Sequence, residues 1–184
     1  IEMTEGGIID IELFPEITPN SVCSIIWLVN KGWYDNRIFY RVVKDFVLQT
    51  DCDKRPGIYE EGCDYIIDGE YKNSGHMTPQ PSFKKYYVGI AGCGGDSNIS
   101  AGSQFFIMTK DTTHLDGYYT AFGKVIEGME EVVDKIVNTE VVYRSSELTS
   151  GQEAPKDEEG NTIPSDKPVN PPVIKSMTVD TFGV

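Results

Sequence analysis

The sequence predicts a mainly β single domain, a closed or nearly closed antiparallel barrel with helices over its ends. Three observations carry this. Strand-like stretches recur along most of the chain, at Ile8 to Phe14, Ile38 to Val43, Phe46 to Gln49, Tyr86 to Ala91, Gln104 to Thr109 and Thr120 to Val125. Only two stretches show helical spacing, and they lie far apart. Strands and helices do not alternate in the way that builds a doubly wound parallel sheet.

Each element has a local reason. In the first strand Ile9, Ile11 and Leu13 alternate with Asp10 and Glu12, the period of a half-buried strand. Thr18-Pro19 follows, an N-cap hydroxyl before a proline at the first helical position. Val22, Ile25, Ile26 and Val29 then form one apolar helix face, with Cys23 expected in the core and Gly32 ending the helix. Lys44-Asp45 is the turn of a hairpin between Ile38 to Val43 and Phe46 to Gln49. Residues 50 to 85 are rich in Gly, Pro, Asn, Asp and charge, with a short strand at Tyr65 to Ile67. Met129, Val132, Val133 and Ile136 predict the second helix, over Met129 to Val137. A short strand at Val141 to Tyr143 precedes an exposed acidic loop at about 144–170. Pro171 to Thr181 reads as the closing strand.

The chain has 184 residues, which suits one domain over 1–184, and 39% apolar residues suffice for a packed core. A net charge of −13 disfavours nucleic acid and anionic membrane surfaces as partners. No apolar run approaches the roughly 18 residues of a membrane span. The chain opens at Ile1 without a basic, apolar leader. A cytoplasmic protein is expected, with a secreted or lipid-anchored one open should the native start lie upstream. Cys23, Cys52, Cys63 and Cys93 have no C-x-x-C spacing and the chain has 2 histidines, so no metal site is expected. Cys52 and Cys63 bracket a Gly-containing loop; a disulfide between them stands beside the alternative of free thiols.

Several chemistries are weak here. Gly92-Cys93-Gly94-Gly95 lacks the lysine and following helix of a phosphate loop, and reads as a tight loop close to a ligand. The carboxylates show no pair of the glycosidase kind. Ser103 lacks a nucleophile-elbow pattern. Arg41 is harder to place. Within an aromatic-flanked strand it is costly to bury without partners, and the pattern alone leaves it open between a surface cation and a ligand contact.

Three longer motifs resolve that choice. Phe39-Tyr-Arg-Val-Val-Lys-Asp-Phe-Val-Leu-Gln49, Gly102-Ser-Gln-Phe-Phe-Ile107 and Leu115-Asp-Gly117 with Phe122-Gly123 resemble, in order and spacing, the cyclophilin-type peptidyl-prolyl isomerases. Gly32-Trp-Tyr-Asp35 and the Thr-Pro helix agree, and the likeness runs over residues 6–137 plus the last strand, in a bacterial style of ordering. The resemblance implies a closed eight-stranded antiparallel barrel capped by two α-helices. It implies cis/trans isomerisation of X-Pro bonds in proline-containing polypeptides, no cofactor, and a monomer. By the same resemblance Arg41 and Gln49 are catalytic. Phe46, Val47, Phe106, His114, Leu115 and Tyr119 line the proline pocket, with Gln104, Gly94 and Gly95 along the adjoining groove. Phe105 is expected in the core, because neighbours in a strand face opposite ways. Three positions depart from the family pattern. Val47 stands for a common methionine, His114 for a common tryptophan tied to cyclosporin binding, and Tyr119 for a histidine. Weak cyclosporin binding is therefore expected. Around Ala91-Gly92-Cys93-Gly94 the usual Met-Ala segment is replaced, which leaves preference beside the proline open.

Overall fold

A computed structural model of the chain describes residues 1–50, 66–92, 99–142 and 166–181. In chain order the elements are β1 (Glu2–Met3), β2 (Asp10–Leu13), α1 (Pro19–Asn30), β3 (Phe39–Val43), β4 (Val47–Thr50), β5 (Ile66–Asp68), β6 (Tyr87–Gly92), β7 (Ile99–Met108) and β8 (Ala121–Glu127). A helical segment Met129–Val137 follows, then β9 (Val141–Val142), β10 (Lys167–Pro168) and β11 (Ile174–Ser176). The main sheet is antiparallel and has 7 strands in the order β2-β8-β6-β7-β4-β3, with β5 also paired to β7.

The expectation of a closed eight-stranded barrel needs correction on both closure and count. Among the described residues β2 and β3 remain edges of the sheet. Two separate two-stranded ribbons, β1 with β11 and β9 with β10, make up the rest. The physical reason is visible in the backbone bonds at the edges. Isolated bridges Glu2↔Ile8 and Ile38↔Val173 run from each side toward the terminal ribbon. Phe39 N donates to Pro172 O at 2.9 Å and Ile9 N to Ile1 O at 2.9 Å. Short terminal segments thus satisfy the edge groups without a continuous ladder. The strand expected over Pro171 to Thr181 shrinks to Ile174–Ser176. The end of the expected acidic loop is itself a strand, Lys167–Pro168, paired with Val141–Val142. The two-residue β1 has too few residues to show a period, and the sequence did not signal it.

Helix α1 begins at Pro19 as its sequence predicts, but Thr18 does not cap it. The Thr18 hydroxyl donates back to Phe14 O at 3.3 Å. The helix N-terminus is held from elsewhere: the buried Glu70 carboxylate accepts from Asn20 N at 3.1 Å and Ser21 N at 2.8 Å. Val22, Ile25, Leu28 and Val29 are the buried face, with Ile26 only partly covered. Cys23, expected in the core, is exposed, because its position points between that face and solvent. At the other end Gly32 has φ +65 and its N–H bonds Val29 O, a turn that glycine adopts without strain. The second helical segment lies where the spacing placed it and buries Val132, Val133 and Ile136. Its first part, Met129–Asp134, is wound as a π-helix; Lys135–Val137 is α-helical.

Two apolar clusters sit on opposite faces of the main sheet. The larger contains Ile9, Val42, Leu48, Val88, Ile90, Phe105, Ile107 and Phe122, together with the buried faces of both helical segments. The smaller contains Val47, Phe83, Ala91, Phe106, Met108, Leu115 and Ala121, rimmed by Val43, Phe46, Tyr87 and Tyr119. Strand alternation sorts the neighbours: Phe105 goes to the first cluster, as expected, and Phe106 to the second.

Candidate active site

The smaller cluster carries the candidate site, and a bulge in β3 brings Arg41 to it. Phe39 pairs with Thr50 and Arg41 with Gln49, so two steps along β3 match one along β4. Without the extra residue, Phe39 and Arg41 would share a face. With it, Phe39 enters the main core while Arg41 turns to the other side, opposite Gln49. The hairpin turn is tight, with Asp45 in the left-handed region at φ 58, a conformation Asp tolerates better than most residues. It places Phe46 just before β4, its ring 5.7 Å from the Arg41 guanidinium carbon.

A polar relay runs across the strands. Arg41 Nη1 donates to Gln49 Oε1 at 3.2 Å, and Gln49 Nε2 donates to Gln104 Oε1 at 2.7 Å. Gln49 also pairs with Phe106 across the β4–β7 ladder. Each amide orients the next, so the arginine is held by a chain of side chains rooted in a central strand. A second partner was not foreseen: Arg41 Nε donates to Asp166 Oδ2 at 2.6 Å. Asp166 falls in the stretch expected to be a solvated acidic loop, so that expectation is corrected at this position. Nothing in local sequence pattern links residues 125 apart.

The apolar half is built from aromatic rings in perpendicular, tilted and stacked contacts. Phe106 meets Tyr119 edge-on at 5.8 Å and packs on Phe83 at 5.6 Å. The His114 ring stacks on Phe46 at 6.3 Å and 17°. Leu115 is buried in the cluster and His114 is exposed at its rim. Phe83 was missed because its surroundings in sequence look like loop. Asp116 pins it: the Asp116 carboxylate accepts from Phe83 N at 2.8 Å and from the Ser82 hydroxyl. This gives the aspartate of Leu115-Asp-Gly117 a structural reason. Ser103 likewise serves packing, since its carbonyl accepts from the Tyr34 hydroxyl at 2.8 Å.

Gly89 lies beneath the Phe106 ring. A Cβ there would stand 2.5 Å from Phe106 Cζ and 2.8 Å from Phe83 Cε1, closer than packed carbon atoms allow. Gly89→Ala is expected to cost about 1–3 kcal/mol of stability by overpacking. It should also raise KM more than it lowers kcat, because the Phe106 ring, a candidate contact for substrate, must move. Chemical denaturation and steady-state kinetics check both.

Arg41, Gln49, Phe46, Val47, Gln104, Phe106, His114, Leu115 and Tyr119 therefore gather on one side of the sheet. Gly94, Gly95, Cys93 and the Cys52–Cys63 pair lie outside the described residues. The arrangement offers a fixed cation and an amide beside an apolar, ring-lined surface. A fixed cation and an amide of this kind suit a reaction driven by positioning and electrostatics; among the described residues no nucleophile–base pair accompanies them.

Comparison with known proteins agrees. The family model described as cyclophilin type peptidyl-prolyl cis-trans isomerase matches residues 1–179. Peptidyl-prolyl cis-trans isomerase B of Bacillus subtilis is 35% identical over 128 residues, which is 70% of this chain and 82% of that protein. A probable peptidyl-prolyl cis-trans isomerase of Brucella suis is 38% identical over 134 residues, 72% of this chain and 67% of that protein. The isomerase cyp15 of Rhizopus delemar is 37% identical over 131 residues, 70% of this chain but only 19% of its own length. A crystal structure of a Cryptosporidium parvum cyclophilin type isomerase in the presence of the dipeptide Ala-Pro superimposes with a TM-score of 0.70 at 24% identity. That match covers 98% of this chain and 97% of the other. The chain belongs to the cyclophilin-type peptidyl-prolyl cis-trans isomerase family. Its relatives include bacterial and fungal proteins, so they do not single out the bacterial ordering expected from the motifs. Among the described residues no helix is long and apolar enough to cross a membrane.

Proposed function

We propose that the chain isomerises X-Pro bonds of flexible or unfolded protein segments in the groove bounded by Arg41, Phe46, Phe106 and Tyr119, and thereby assists folding. The observation that carries this is the Arg41–Gln49–Gln104 relay beside a ring-lined apolar cluster. The Ala-Pro dipeptide named with the Cryptosporidium structure supports a small proline-containing ligand as the unit recognised.

Rotation about X-Pro is slow because amide resonance sets a barrier of roughly 18–20 kcal/mol. No bond has to be made or broken. The site must favour the twisted state, in which the prolyl nitrogen becomes pyramidal and regains its lone pair. Arg41 donates toward that nitrogen and the adjoining carbonyl, while Gln49 keeps the guanidinium in place. The ring of the proline rests on Phe106, Leu115 and Val47. Exclusion of water there disfavours the charge-separated resonance form of the planar amide. Gln104 hydrogen-bonds the peptide backbone along the groove. The chain works without a cofactor and as a monomer.

The rim residues set inhibitor affinity. Val47 is shorter than methionine, and the exposed His114 offers less apolar surface than tryptophan. Cyclosporin binds weakly to this rim. His114→Trp is expected to tighten it about 10-fold or more, since a large aromatic contact adds roughly 1.5–3 kcal/mol. Calorimetric titration of both proteins with cyclosporin measures this; equal affinities would remove His114 as the determinant. The isomerase reading itself is tested by a protease-coupled proline-peptide assay. Peptide binding without acceleration would point to a non-catalytic proline-peptide-binding module.

A further inference from the structure

The Arg41–Asp166 contact belongs to neither the motifs nor the relay. It joins the centre of the site to a segment that the sequence presents as solvated loop. The contact is built in at both ends. Asp166 is tied through its own backbone, Val42 N donating to Asp166 O at 2.7 Å, one residue from the arginine it serves. The next residues, Lys167–Pro168, are zipped to Val141–Val142, and Val169 N donates to Glu140 O at 2.9 Å. The two side chains are 31% and 19% exposed, so the pair is largely sheltered.

A guanidinium has five N–H donors in a rigid fork. Among the described residues Asp166 takes the Nε–H and Gln49 takes one hydrogen of Nη1. Two anchors at different nitrogens fix both the tilt and the rotation of the plane, which one anchor cannot do. The remaining donors, on Nη1 and Nη2, are those able to reach a substrate.

We propose that Asp166 is a positioning residue for isomerisation, holding the Nε edge of Arg41 so that its terminal N–H groups meet the prolyl bond. A neighbouring carboxylate also lowers the positive potential that arginine offers, which would act as a brake. Magnitudes favour positioning. Misplacing a reacting group by about 1 Å costs on the order of 100-fold. A partly exposed ion pair alters affinity by roughly fivefold or less.

This inference rests on Arg41 acting on the substrate, and its test separates the two. Steady-state isomerisation of an Ala-Pro peptide is measured for the wild type, Asp166→Asn, Arg41→Ala, Arg41→Lys and the Arg41→Lys/Asp166→Asn double variant. Asp166→Asn keeps the size and the main-chain bond of the aspartate. It is expected to lower kcat about 10-fold with little change in KM. In the Arg41→Lys background the same change should have almost no further effect. In a 15N NMR spectrum the Arg41 Nε–Hε signal should lie downfield in the wild type and move upfield in Asp166→Asn. Equal or faster turnover of Asp166→Asn overturns the proposal, as does an undiminished loss in the Arg41→Lys background. If Arg41→Ala stays active, the catalytic reading of Arg41 falls. If Arg41→Ala is dead and Asp166→Asn is fully active, only the role of Asp166 falls.

Discussion

Arg41→Ala is expected to lower kcat/KM for prolyl isomerisation by about 10²–10³-fold, the loss typical of one preorganised donor to developing charge. The fold should survive. Arg41 is 31% exposed at its side chain and belongs to neither apolar cluster, so alanine leaves no core cavity. What is lost is the guanidinium held by Gln49 and Asp166 at 3.2 and 2.6 Å. Lysine keeps the charge yet cannot reproduce two anchors plus terminal donors in one plane. Arg41→Lys should therefore recover only a small part of the activity. Exchange rates measured with an Ala-Pro peptide, beside thermal unfolding curves, check both variants.

The second large effect falls on stability, at Glu70. This carboxylate is 3% exposed and accepts from the two N-terminal amides of α1 across about 50 residues of sequence, while Glu70 N donates to the buried Thr120 hydroxyl at 2.9 Å. Its charge complements the positive end of the helix. Glu70→Ala strips acceptors from two helix amides in a sheltered place. The expected loss is about 2–3 kcal/mol, which for a chain of this size lowers Tm by roughly 5–10 °C. Glu70→Gln retains an acceptor oxygen and should lose about half as much. Thr18→Ala, by contrast, should cost less than Glu70→Ala, because the buried hydroxyl bonds only Phe14 O and does not cap the helix. Thermal melts of the three variants rank them; a larger loss at Thr18 than at Glu70 would reverse this reading of the helix start.

The site was legible where motif and period coincide. Arg41 and Gln49 stand on a hairpin whose turn and apolar alternation are local, and Phe105 and Phe106 are sorted by the two-residue period alone. What sequence could not show depends on distant chain segments. Asp166 reaches Arg41 from 125 residues away, and Glu70 caps α1 from beyond a long polar stretch. The bulge at Tyr40 is equally silent in sequence, yet it alone puts Phe39 and Arg41 on opposite faces. Among the described residues the barrel stays open for a related reason. The edges of β2 and β3 are met by isolated bridges from short terminal strands, whose two or three residues carry no period to read.

Arg41 is expected to accelerate rotation of a proline peptide bound beside it. Exchange NMR on an Ala-Pro peptide reads that rotation directly, with catalytic amounts of the wild-type chain. The prediction is cis and trans resonances that exchange far faster with the chain present, and an acceleration cut about 10²–10³-fold on Arg41→Ala. Chemical-shift evidence of binding with an unchanged exchange rate in the wild type would contradict it.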